Sequence, residues 1–86
     1  MSKAKKALAR LLARPKDFTW DEAVSLLKNC DFDLLPSKGG SHRTFYNAKR
    51  DVIFNAAQPH PTPVLKRYQV DSLIEILQSH GYADDN

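Results

Sequence analysis

His42 follows a glycine turn, Lys38-Gly39-Gly40-Ser41, at the start of a segment whose side chains alternate in character. Imidazole titrates near neutrality, so one such group can take a proton from a hydroxyl and return it to a leaving oxygen at the same pH. Cleavage of a ribose phosphodiester needs little more. The 2′-hydroxyl attacks its own neighbouring phosphorus, and a protein has only to move protons, align the sugar and phosphate, and stabilise charge on the phosphorane. Lys38, Arg43, Lys66 and Arg67 are the cations placed to hold a phosphate, and Ser41 is a further candidate RNA contact. His60, between Pro59 and Pro61, is either a second acid/base group or RNA contact, or a loop residue locked for packing. Tyr46 and Tyr68 are candidates for stacking on bases. Each has a plainer alternative. A lone strand histidine is commonly an ordinary surface residue, a tyrosine beside a core commonly packs with its hydroxyl outward, and His80 suits the dipole at a helix end.

Other chemistries find no residues to carry them. The chain has no metal-ligand spacing, phosphate-cradling glycine loop, paired-carboxylate constellation, or serine or cysteine nucleophile motif, so neither a metal nor a small-molecule cofactor is expected. Cys30 is the only cysteine, which rules out an internal disulfide and fits a reducing cytoplasm.

Charge is uneven along the 86 residues. The net value is +3, but residues 1–16 hold six cations and no acid, so the remainder, with seven cations and ten acids, carries −3. Overall basicity therefore cannot argue for nucleic acid. Within the remainder, Lys38, Arg43, Lys49, Arg50, Lys66 and Arg67 face only Asp51 between positions 38 and 67, a local basic zone able to pair with phosphates. The competing reading is a solvated charged face. With 42% apolar residues the chain should fold around one core, and no apolar run approaches the ~20 residues that cross a bilayer. No membrane partner and no secretory leader are expected.

The elements that must position these residues follow from periodicity. Ala4, Ala7, Leu8 and Leu11 predict a basic amphipathic helix from Lys3 to Ala13, ended by Pro15. Thr19 and Glu22 form a capping box opening a second helix, with Phe18 as its staple and Trp20, Ala23, Val24 and Leu27 as its buried stripe. Alternation predicts strands over 31–34, 41–46 and 52–56, joined as an antiparallel meander with Pro36 stopping the first. In the middle strand Ser41, Arg43 and Phe45 share one face, and His42, Thr44 and Tyr46 the other. Residues 58–64, with three prolines, form an extended loop. A last helix runs from Tyr68 to His80 on Val70, Leu73, Ile74 and Leu77, with Gly81 as its cap and Tyr82 packing back on Leu77. The expectation is an α+β fold with a small three-stranded antiparallel sheet, helices packed on one face and the other face left to solvent. Residues 1–16 form an extra N-terminal helix and linker, free on this reading to dock on RNA, a partner or the domain itself; residues 17–86 form the domain.

The run Lys38-Gly39-Gly40-Ser41-His42-Arg43-Thr44-Phe45 resembles the Gly-Ser-His-Arg-x-Phe signature of HicA toxins. Pro59-His60-Pro61 with Leu65-Lys66-Arg67-Tyr68-Gln69-Val70 resembles the stretch leading into their last helix, and Pro15 to Glu22 looks like the opening of a longer subfamily. Thr62-Pro63, where relatives often have Gly-Asn, and Leu34-Leu35-Pro36 in the first strand depart from the family pattern. The resemblance implies a fold similar to double-stranded-RNA-binding domains, endoribonuclease activity on mRNA with His42 catalytic, and a HicB-type antitoxin covering the face that bears His42. A noncatalytic RNA-binding domain that grips A-form RNA by shape is the alternative, and a protein-docking surface is a third reading.

Overall fold

A computed structural model describes residues 3–36, 39–40, 42–59 and 62–79. Three helices, α1 (Lys3–Leu12), α2 (Trp20–Asn29) and α3 (Arg67–Ser79), accompany three strands, β1 (Asp33–Leu34), β2 (His42–Asn47) and β3 (Val52–Ala57). The strands form one antiparallel sheet in the order β1-β2-β3, so β3 is an edge. Register pairs His42 with Ala57, Phe45 with Phe54 and Asn47 with Val52.

Local chemistry explains the element ends. The Thr19 side chain accepts from the Glu22 amide at 3.1 Å while the Thr19 amide donates to Glu22 Oε1 at 3.0 Å, the reciprocal box expected at the start of α2. At the other end of α2, Phe32 N–H donates to Leu27 O (2.9 Å) and Asp31 N–H to Lys28 O (3.2 Å), with Asp31 at φ 70°. That is a Schellman closure. It consumes Asp31 and Phe32, which is why β1 is two residues long and not the four that alternation suggested. Phe32 is nonetheless buried, packing at the closure where such motifs place an apolar residue. The α1 helix ends on Arg14, at φ 55°, just before Pro15.

The core sits between one face of the sheet and the helices. Phe45, Val52, Leu26, Leu27, Leu73 and Leu77 are buried, and the Trp20 and Phe45 rings lie 5.7 Å apart at a tilt. Leu11 of α1 is fully buried in the same cluster, and α1 packs on both α2 and α3. Arg10 fastens that contact: its Nε donates to Glu22 Oε2 at 2.7 Å and its Nη2 to the Asp17 carbonyl at 3.0 Å, with the guanidinium 5.6 Å from the centre of the Phe18 ring. Arg14 reaches the Asp71 carboxylate of α3 through two bonds of 2.9 Å. The basic helix left without an assigned place by its periodicity therefore docks on the domain itself. No helix among the described residues is long and apolar enough to cross a membrane.

The proline-rich connection is pinned at its far end. Val64 bridges Thr19, Trp20 N–H donates to Pro63 O at 2.7 Å, and Leu65 N–H donates to Phe18 O at 2.8 Å. The first turn of α2, whose amides have no helical partner, thus fixes the chain entering α3.

Candidate functional site

Strand alternation sorts the middle of the chain into two faces. Arg43, Phe45 and Asn47 point toward the helices, opposite Ala56, Phe54 and Val52. His42, Thr44 and Tyr46 lie on the uncovered face with Ala57, Asn55 and Ile53, and His42 and Ile53 are exposed there. The Thr44 hydroxyl donates to Asn55 Oδ1 across the strands at 2.8 Å. Tyr46 donates to Asp51 at 3.2 Å, and that carboxylate pushes the phenol pKa up. The open face therefore mixes the polar Thr44, Asn55 and Tyr46 with the exposed Ile53, and the His42 imidazole stands at its end.

The turn that delivers His42 uses two glycines at positive φ, 113° at Gly39 and 75° at Gly40, which an L side chain adopts only with strain. A Cβ on either would meet nothing within 4 Å, so space is open around the turn. The other end of the pair is held by Gln69. Its Nε2 donates to Ala57 O, opposite His42, at 2.6 Å, and its Oε1 accepts from the Lys66 amide at 2.9 Å. Gln69 is buried, and it ties the end of β3 to the start of α3.

Between the β3 edge and α3 lies a cavity of ≈ 290 Å³. Trp20, Phe45 and Phe54 form its apolar interior, while Tyr68, Gln69 and Ser72 contribute from α3. His42 also lines it. Both His42 and Tyr68, the latter 61% exposed, are accessible to solvent, which puts them at the mouth. The chain matches no protein-family model, no curated protein and no solved structure.

Of the cations named from the sequence to hold a phosphate, the described ones, Arg43, Lys66 and Arg67, occupy different surfaces. Arg43 projects from the opposite face, where its guanidinium reaches Leu35 O at 3.4 Å and Gln58 Oε1 at 3.5 Å, with Nε buried and without a partner among the described residues. Arg67 lines a second crevice of ≈ 260 Å³ together with Arg14, Lys16 and Asp71, on a different side of α3 from Tyr68 and Ser72. Lys66 is exposed and lines neither space. Lys38, Ser41 and His60, along with His80, Gly81 and Tyr82, lie outside the described residues.

Sequence reasoning passed over the cavity and the two buried amides, Gln69 and Asn47. Gln69 stands three residues after Lys66, the position from which a glutamine reaches back to cap a helix start, so a signal was present. Asn47 is fully buried, donating to Cys30 O at 3.0 Å and accepting from Arg50 N–H at 3.1 Å; only its place at the head of a polar turn hinted at this. Burial pushes the Cys30 thiol pKa up, away from the reactive thiolate.

Proposed function

We propose that this chain is an endoribonuclease of the HicA toxin type, cleaving mRNA by proton transfer through His42 without a metal. One observation carries the reading: an exposed imidazole on the uncovered sheet face, behind an open glycine turn and at the mouth of an aromatic cavity. The succession α2-β1-β2-β3-α3 with one bare sheet face supports a fold similar to double-stranded-RNA-binding domains. In the cleavage step His42 takes the 2′-hydroxyl proton as that oxygen bonds to phosphorus, the bond from phosphorus to the 5′-oxygen breaks, and the imidazolium returns the proton to the leaving oxygen, restoring neutral His42. The products are a 2′,3′-cyclic phosphate and a 5′-hydroxyl end. Lys38 and Ser41 flank His42 in sequence and are the groups assigned to grip the phosphate; Arg43, Lys66, Arg67 and His60 are assigned to more distant RNA contacts. A HicB-type antitoxin would silence the enzyme in the cytoplasm by covering the His42 face.

The test is digestion of a defined RNA by the intact protein and by His42→Ala, with and without a chelator. Loss of a general acid/base group should slow cleavage by about 10²-fold or more, with the chelator changing nothing and the melting temperature unaltered because the side chain is exposed. Undiminished cleavage by folded His42→Ala removes the assignment. RNA that is bound in a salt-sensitive way but never cut returns the chain to the noncatalytic alternative.

A further inference from the structure

We propose that the cavity between β3 and α3 is a nucleobase subsite: it receives one unstacked base next to the scissile bond and so makes cleavage base-selective. This rests on the ribonuclease reading for its biological use, but the binding itself is separable from catalysis.

Five observations carry it. At ≈ 290 Å³ the space is near the lower limit of small-molecule pockets, roughly 300–1,000 Å³, enough for one ring system and its sugar edge. Trp20, Phe45 and Phe54 line its apolar interior, and Tyr68, exposed at the entrance, offers a ring on which a flat π-system can stack. The lining includes no Lys, Arg, Asp or Glu among the described residues, a surface that suits an uncharged base better than a phosphate or an ionic side chain. Hydrogen-bonding capacity is sparse and placed. Both ends of the Gln69 amide are engaged within the fold, and the Asn55 side chain bonds Thr44 on the uncovered face, which leaves the Ser72 hydroxyl to read a base edge.

The fifth observation is His42 itself, which lines the same cavity. A ribose whose base enters between Tyr68 and the β3 edge brings its 2′-hydroxyl and adjoining phosphate to the imidazole. An apolar side chain from a protein partner would fill the interior equally but would leave Ser72 without a role.

The experiment is an NMR titration of the intact protein with each of the four nucleoside 3′-monophosphates, with inorganic phosphate as the control. Tyr68→Ala and the cavity-filling Ser72→Leu serve as variants, both at exposed positions. Expected are amide shifts at Phe54, Ala56, Tyr68 and Ser72 with one base favoured and none with phosphate, and weakening by about tenfold in each variant, the loss of one stacked base. Equal shifts from phosphate, or nucleotide shifts confined to other residues, overturn the subsite. So does unchanged binding in both variants. RNA cleavage that proceeds without any base shift leaves the enzyme standing and removes the subsite; base binding without cleavage does the reverse.

Discussion

His42 and Arg43 are neighbours in the chain and point to opposite faces of one sheet. Adjacency along a strand separates side chains, so a basic residue beside a catalytic one is not thereby its helper. Glu22 shows the converse, a residue whose partners come from elsewhere. The Arg10 guanidinium, 2.7 Å away across the α1–α2 contact, holds its carboxyl down at about 2, with Thr19 adding hydrogen bonds. A lowered carboxyl pKa stabilises the fold fully above its unfolded value near ~4.3, and that stabilisation is lost as pH falls toward 2. Glu22→Gln keeps a capping side chain and removes the charge. At pH 7 it should lower the melting temperature by about 1–5 °C, the worth of a partly solvated ion pair of roughly 0.2–1 kcal/mol in a domain this small. The gap should narrow below pH ~4 and close near pH 2 in thermal melts. A gap of constant size from pH 7 to pH 2 contradicts the charge account.

Among the elements, the joint between β3 and α3 governs the proposed site. An edge strand has partners on one side only, and here a single buried amide, Gln69, spans the gap to the helix. Replacing it with Leu keeps similar bulk but leaves the Ala57 carbonyl and the Lys66 amide without it. We expect a loss of about 2–3 kcal/mol in urea unfolding, and a fall in RNA cleavage measured well below the unfolding midpoint, since the tie between the end of β3, where Ala57 pairs with His42, and the start of α3 would be lost. Stability within experimental error of the parent would show that the joint is made by packing alone. Asn47 plays a comparable part at the β2–β3 turn, where Arg50 donates to it and it donates to the end of α2.

For the molecule as a whole, the N-terminal helix is the informative piece. Leu11 is fully buried with Phe18, Leu73 and Leu77 in the cluster, although it lies in the segment most readily taken for a basic appendage. Leu11→Ala should therefore cost about 2–4 kcal/mol in a single cooperative transition. For 86 residues, with a total stability of roughly 4–13 kcal/mol, that is a large fraction. Calorimetry showing an unchanged main transition would mean that α1 is dispensable. Docking also redistributes charge, because Arg10 and Arg14 are spent on Glu22, Asp17 and Asp71. Two of the six N-terminal cations are thus paired with acids of α2, α3 and the segment before α2.

Features that depend on a few neighbouring residues could be read directly: the Thr19–Glu22 box, the helix stripes, the glycine turn and the two-faced alternation that puts His42 and Phe45 on opposite sides. Hydrogen bonds and side-chain periodicity within one turn or strand are set by the local chain, so the letters suffice. The cavity, the Gln69 joint and the Arg14–Asp71 contact, whose residues are 57 positions apart, required the folded arrangement. Each joins side chains from separate elements, and their meeting depends on how α2, α3 and the sheet pack. The same holds for the cations: composition placed them in one stretch of sequence, while strand alternation and the turn into α3 sent Arg43 and Arg67 to different surfaces.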